Sequence, residues 1–192
     1  MTIIIAGRYK NSFCLGCDSA VISGWSRLKN LKNFTKIVAF PMFFVGLCGS
    51  CTISETLKRF SQDPAFLVNG FMGMQDARDA SFFAEAVFST LKDYAKNRLA
   101  REANSEAELE STQMLIISKS GIYNVDDYLN SLEYEKFYTI GCGNDLATGA
   151  MEVLYPSVKD RKSLKKAIET SIAVACKYSS GCDLPVTCVE IE

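Results

Sequence analysis

The chain has 192 residues, of which 48% are hydrophobic and 22% are charged, and its formal net charge is −1. This near-neutral balance provides no electrostatic case for binding nucleic acid or an anionic membrane. The sequence contains 8 cysteines and no histidine, which excludes a Ser-His-Asp triad, a Cys-His dyad and a histidine-ligated zinc site within the chain.

The first 50 residues have the short β-branched runs and the glycine punctuation that are typical of strands. The predicted strands cover residues 2–7, 13–17, 36–40 and 42–47. Ser50 then has the position of a helix N-cap, and Glu55 and Lys58 lie on the helix that follows.

A long helix is predicted over residues 79–102, because Phe83, Val87, Leu91 and Ala95 form one apolar stripe at i, i+4 spacing. An acidic polar connection follows at residues 104–111. The remaining predicted elements are a hairpin of strands 114–118 and 122–125, a strand 137–141, helices 145–155 and 163–178, and a closing strand 186–191.

The order of these elements is strands, two helices, strands, two helices and a strand. Because strands and helices do not alternate singly, this order favours α+β layering over a doubly wound parallel sheet. No repeat, low-complexity tract or linker interrupts the chain, so we expect one domain over residues 1–192. No apolar run approaches the roughly 18 residues of a membrane span, and the start lacks the basic region of a signal peptide. We therefore expect a cytoplasmic protein with no membrane partner.

Thr2 is the first candidate for chemistry. Removal of the initiator methionine ahead of this small residue would place a free α-amine beside the threonine hydroxyl. The pKa of an α-amine is about 8, so its neutral fraction can take the hydroxyl proton directly or through water. A chain without histidine can therefore still contain an activated nucleophile.

Asp18 and Lys36 are the next candidates. Asp18 ends a predicted strand, where a side chain can face a site, although a turn or cap aspartate has the same pattern. Lys36 enters an apolar strand, where a lysine requires a counter-charge unless it lies exposed on an edge strand. If the two side chains pair, the ammonium raises the acidity of a nearby hydroxyl.

Glycines mark two strand-to-helix turns. Gly46-Leu47-Cys48-Gly49-Ser50 precedes the first predicted helix, and Gly141-Cys142-Gly143 precedes a later one. Glycine lets the backbone approach a ligand, so that a backbone N–H can bind an oxyanion, but a plain turn has the same composition.

The order and spacing of these motifs resemble the proteasome β subunits and, more closely, the bacterial proteasome-like peptidase HslV and its small phage and bacterial relatives. The resemblance covers nearly the whole chain. The residues that carry it are Thr2, Asp18, Lys36, the Gly46-x-x-Gly49 turn and the run from Tyr138 to Gly143. It implies a four-layer αββα sandwich of the N-terminal-nucleophile hydrolase type and a threonine-type endopeptidase that works through an acyl-enzyme.

The resemblance also implies roles for single residues. Thr2 corresponds to the nucleophile, Asp18 to its acidic partner and Lys36 to the lysine that tunes it. Gly46 corresponds to the amide of the oxyanion hole, and Cys142 falls where the family usually has serine.

Further expectations concern cofactors and partners. The segment with Ala173, Cys176 and Ser179 resembles a helix-end loop whose carbonyls can hold a monovalent or divalent cation, and no other cofactor is expected. The resemblance implies a homo-oligomer, either a ring or an open helical ring, that acts on peptides or unfolded proteins. An ATP-driven unfoldase is a candidate partner.

Zinc binding is one alternative to this interpretation. Cys14 and Cys17, like Cys48 and Cys51, form a C-x-x-C pair, and two such pairs can build a Cys₄ site. The 30 residues between the pairs exceed the usual spacing. Cys14 and Cys17 also point to opposite faces of a strand.

A catalytically silent, proteasome-like scaffold subunit is the second alternative. If Met1 is retained, the nitrogen of Thr2 is an amide and cannot act as a base. The cysteine at position 142 in place of serine points the same way, whereas a mere scaffold needs neither Asp18 nor Lys36.

Overall fold

A computed structural model of the chain describes residues 2–23, 26–28, 31, 34–49, 51–62, 112–126 and 131–191. The long helix predicted over residues 79–102, the connection over residues 104–111 and the Ser50 cap lie outside the described residues. So does Met1.

The first sheet consists of β1 (Ile3–Tyr9), β2 (Ser12–Cys17), β10 (Phe137–Gly141) and β11 (Thr187–Ile191). These four strands are antiparallel and lie in the order β10-β1-β2-β11. Side chains on both faces of β1 are buried, as expected for a sheet that is covered on two sides.

The second sheet consists of β5 (Ile37–Ala39), β6 (Phe43–Cys48), β7 (Gln113–Ser118), β8 (Ile122–Val125) and β9 (Ser131–Tyr134). These five strands form an antiparallel meander in the order β5-β6-β7-β8-β9. A separate short hairpin consists of β3 (Val21–Ser23) and β4 (Ser26–Leu28).

The described helices are α1 (Cys51–Phe60), α2 (Asn144–Leu154) and α3 (Arg161–Tyr178), with a short 3₁₀ turn (Tyr155–Ser157) after α2. α3 begins with a capping box in which Asp160 and Ser163 bond reciprocally. It packs closely on β2 because Gly16 has no side chain, and a Cβ there would lie 2.6 Å from Ile168 Cγ2.

Two apolar clusters separate the layers. Ile3 and Ile5 face a cluster that contains Ile168 of α3, whereas Ile4 faces a cluster that contains Leu115 of the second sheet. The first sheet therefore lies between helices and the second sheet. Val45, Met114 and Ile116 on the second sheet's other face are also fully buried, and α1 contacts β5. The predicted α+β sandwich of the αββα type is confirmed.

The β3–β4 hairpin and β9 were not predicted. β3 and β4 have three residues each, too few for a periodic pattern. β9 is a polar edge strand in which Leu132 and Glu133 are exposed, so it has no apolar alternation. The single-domain prediction stays a prediction.

The Cys₄ zinc alternative does not fit the fold. Cys14 belongs to the cluster on the helix side of the first sheet, and Cys17 to the cluster between the sheets. Across the described part of the chain, no group of three or more histidine, cysteine or acidic residues is placed to hold a metal ion. None of the helices described there has the length and apolar character needed to cross a bilayer.

Candidate active site

Three side chains far apart in the sequence meet at one end of the two sheets. Thr2 immediately precedes β1 and Asp18 immediately follows β2, and the pairing of Ile4 with Cys17 places these ends side by side. Lys36 immediately precedes β5 of the second sheet. The exposed fractions of Thr2, Asp18 and Lys36 are only 3%, 2% and 6%. The fold therefore buries a hydroxyl, a carboxylate and an amine together.

One carboxylate oxygen of Asp18 accepts three hydrogen bonds. The donors to Oδ1 are Thr2 Oγ1 at 3.0 Å, the backbone N–H of Ile3 at 2.9 Å and Lys36 Nζ at 2.6 Å. Because Thr2 Oγ1 and Lys36 Nζ both donate to this oxygen, a single carboxylate oxygen links the ammonium to the threonine hydroxyl. The pairing of Asp18 with Lys36 that the sequence suggested is present, and both side chains are buried.

The other oxygen, Oδ2, accepts from two backbone N–H groups. These belong to Ala20 at 2.9 Å and Asp183 at 3.0 Å. In return, the carbonyl of Asp183 accepts from the backbone N–H of Ser19 at 2.9 Å. The carboxylate of Asp18 thus has a fixed orientation, which in turn fixes the positions of Thr2 and Lys36.

The contribution of Asp183 was missed at the level of sequence. It acts through its backbone amide in the loop between α3 and β11. A backbone amide has no side-chain signature, so no residue pattern identifies it.

A small cavity of about 40 Å³ opens beside the threonine, and Thr2, Lys36, Gly49, Cys51 and Ser54 are among the residues that line it. A second cavity of about 480 Å³ adjoins it on the side of Asp18. The two cavities share Ala20, Val21, Phe34 and Lys36 as lining residues. The larger cavity therefore adjoins the small one that the buried hydroxyl lines.

Gly46 lies away from this cavity. It is in the interior of β6, paired with Ile37 and Leu115, and a Cβ there would lie 2.6 Å from Ile4 Cγ2. Because Gly46 has no side chain, Ile4 can pack against β6 in the core between the two sheets. Gly49, one residue beyond β6, has a φ of 131° and lines the cavity with Thr2. The structure therefore brings Gly49, and not the predicted Gly46, to the nucleophile candidate.

The turn from β10 to α2 supports the main chain of Thr2. The Cys142 thiol donates to the carbonyl oxygen of Thr2 at 3.4 Å, and the backbone N–H of Gly143 approaches the same oxygen at 3.5 Å. Gly141 has a φ of 106°, and a Cβ there would overlap that oxygen. The structure therefore brings Cys142 into contact with the main chain of Thr2, and its role stays a prediction.

Gly141→Ala is expected to lower the free energy of unfolding by about 1–3 kcal/mol, because alanine is strained at positive φ and its Cβ meets the carbonyl of Thr2. Gly149→Ala is the matched control. It lies in α2 with open space around it, so it should stabilise the protein by about 0.5–1 kcal/mol. Urea denaturation measures both changes. Equal stability of the two variants would show that the turn does not pack against Thr2.

The predicted cation loop is helical for most of its length. Ala173 and Cys176 lie inside α3, and Ser179 is its C-cap residue. In the helical pattern the carbonyl of Ala173 accepts from within the helix, and the carbonyl of Ser179 accepts from the backbone N–H of Cys182 at 3.4 Å. The cation itself stays a prediction.

No family model matches the sequence, and neither does any curated protein. The structure, in contrast, matches solved structures over almost its whole length.

Two similar structures are of BPH from Thiobacillus denitrificans. The complex of BPH with epoxomicin has a TM-score of 0.73 and 22% sequence identity, and the match covers 99% of this chain and 98% of that chain. The other structure of BPH has a TM-score of 0.70 and 21% identity, and the match covers 99% of this chain and 97% of that chain.

A third similar structure is the eukaryotic HslV from Trypanosoma brucei. Its TM-score is 0.68 at 16% identity, and the match covers 99% of both chains. The proteasome-like fold that the sequence motifs implied is therefore confirmed.

Proposed function

We propose that this chain is a threonine-type endopeptidase that hydrolyses peptide bonds through Thr2 after removal of Met1. The observation that carries the proposal is the shared hydrogen bonding of Thr2 Oγ1 and Lys36 Nζ to one buried oxygen of Asp18. In this arrangement one carboxylate oxygen connects the proposed nucleophile to a cation, in a chain that has no histidine. The fold shared with an epoxomicin-bound protein supports the proposal.

In the proposed reaction, the α-amine of Thr2 is the general base. It takes the hydroxyl proton, directly or through a water, while Oγ1 attacks the carbonyl carbon of the peptide. Lys36 stabilises the negative charge that develops on Oγ1, and Asp18 fixes the positions of both side chains by accepting a hydrogen bond from each. The amine then gives its proton to the leaving group, and water hydrolyses the ester on Thr2.

The oxyanion of the tetrahedral intermediate requires hydrogen-bond donors in the cavity. We assign this role to the backbone N–H of Gly49, because Gly49 lines the same cavity as Thr2. Cys142 and Gly143 act as positioning residues, because they contact the carbonyl oxygen of Thr2.

The proposal extends to assembly and partners. We propose a cytoplasmic homo-oligomer, a ring or an open helical ring, that degrades peptides or unfolded proteins and accepts them from an ATP-driven unfoldase. The apolar side chains of Met42, Leu132 and Val153 are more than half exposed and are candidates for subunit contacts. A cation at the end of α3, near Ser179, belongs to the same proposal.

A peptidase assay tests the proposed function. The purified chain is incubated with a set of fluorogenic peptides that differ in the residue before the cleaved bond. We expect hydrolysis of at least one peptide, and loss of that hydrolysis after incubation with epoxomicin. Absence of hydrolysis across the set, with correctly folded and assembled protein, would support the silent scaffold subunit instead.

A further inference from the structure

Two thiols approach each other at the edge of the candidate active site. The sulfur atoms of Cys142 and Cys182 are 4.0 Å apart, and both cysteines are free. Cys142 is exposed, whereas Cys182 is almost completely buried. They are 40 residues apart in the sequence, on the turn before α2 and on the loop after α3.

The separation is short enough to close. A disulfide has a sulfur–sulfur distance of about 2.05 Å, so the two atoms must approach by about 2 Å. Cys142 is flanked by Gly141 and Gly143, and rotation of its side chain with a small movement of this turn supplies the approach.

Each partner is connected to a different part of the site. Cys142 donates from its thiol to the carbonyl oxygen of Thr2 at 3.4 Å. Cys182 immediately precedes Asp183, whose backbone N–H donates to Asp18 Oδ2 at 3.0 Å. A bond between the two sulfurs therefore removes the thiol hydrogen that bonds to the carbonyl oxygen of Thr2. It also displaces the loop whose Asp183 N–H orients Asp18.

We propose that Cys142 and Cys182 form a reversible oxidation site, at which a hydroperoxide converts the two thiols into a disulfide and switches the peptidase off. The regulatory half of this inference rests on the proposed function. Disulfides of this kind in reducing compartments are usually transient and redox-sensing.

The chemistry balances in two steps. The Cys142 thiolate attacks one peroxide oxygen, the O–O bond breaks, and Cys142 becomes a sulfenic acid as the first water leaves. The Cys182 sulfur then attacks the Cys142 sulfur, the S–O bond breaks, and the second water leaves. Two thiols are oxidised by two electrons in total while one hydrogen peroxide is reduced.

The order of attack follows from exposure. Cys142 is open to solvent and meets the peroxide first. Burial raises the pKa of Cys182 to about 12, which keeps it as the less reactive thiol until the sulfenic acid forms beside it.

The test treats the full-length protein with hydrogen peroxide, blocks remaining thiols and maps disulfides by mass spectrometry. We expect a Cys142–Cys182 cross-linked peptide within one chain and a loss of peptide hydrolysis of about tenfold or more. Dithiothreitol should restore the activity. Each variant is compared with its own untreated activity.

Two variants remove the link in different ways. Cys182→Ala and Cys142→Ser should both lose the cross-link and the reversible inhibition, and the second changes an exposed side chain and leaves a hydroxyl that can still donate to the carbonyl oxygen of Thr2. Cys51→Ala is the matched control, because Cys51 is also exposed and lines the Thr2 cavity. It should keep the cross-link and the inhibition.

The outcomes separate the two proposals. A missing cross-link in peroxide-treated protein, or a link between different chains, would overturn the oxidation site. A cross-link with unchanged hydrolysis would overturn the switch. A cross-link in protein that never hydrolyses peptides would confirm the oxidation site and contradict only the proposal that the chain is a peptidase.

Discussion

Replacing Thr2 with alanine is expected to lower peptide hydrolysis by about 10³-fold or more while the protein stays folded. Alanine has no hydroxyl, so no acyl-enzyme can form. The side-chain hydrogen bond to Asp18 is also lost, which should lower the free energy of unfolding by about 1 kcal/mol. Initial rates with a fluorogenic peptide and urea denaturation measure the two effects.

Two further variants are controls for Thr2→Ala. Thr2→Ser keeps a hydroxyl next to the α-amine and should retain measurable activity. Thr170→Ala removes a hydroxyl that bonds back to its own helix, to the carbonyl of Lys166, and should hydrolyse at the rate of the unchanged protein. Full activity in Thr2→Ala would rule out Thr2 as the nucleophile.

Lys36→Met should damage both stability and activity. It leaves the buried carboxylate of Asp18 without its ammonium partner, and breaking a buried ion pair in this way typically costs about 3–5 kcal/mol. Loss of the cation beside the hydroxyl should reduce hydrolysis by about 10²-fold or more. Urea denaturation and initial rates, measured on the same preparation, give both numbers.

Lys165→Met is the matched control for this variant. The Lys165 ammonium pairs with Glu190 at 3.4 Å and is 38% exposed, so its removal should cost no more than about 1 kcal/mol. The double variant Asp18→Asn, Lys36→Met should be more stable than the sum of the single effects predicts, because the two charges are coupled. If Lys36→Met is as stable as Lys165→Met, the ion pair does not hold the site together.

The sequence was most informative where one residue has an unusual environment. Lys36 in an apolar run suggested a need for a counter-charge, and Asp18 at a strand end was a candidate to supply it, but an exposed edge-strand lysine has the same pattern. The structure decides for the pair. The hydrophobic patterns of β7, β8 and β10 were sufficient to place these strands, because each is short, apolar and bounded by turn residues.

The choice between Gly46 and Gly49 could not be made from the sequence. It depends on where β6 stops pairing, and the last pair joins Cys48 to Gln113, which is 65 positions further along the chain. Only that register shows that Gly46 lies within the ladder and Gly49 beyond it. The approach of Cys142 to Cys182 depends in the same way on how α2 and α3 pack.

The central claim, that Thr2 is a working N-terminal nucleophile, is tested most directly by intact mass spectrometry of the purified protein before and after incubation with epoxomicin. Our account predicts a chain that begins at Thr2 and gains the mass of one inhibitor, with no gain in Thr2→Ala. A chain that retains Met1 and forms no adduct would contradict it, and would identify the buried Thr2–Asp18–Lys36 cluster as a structural element of a silent subunit.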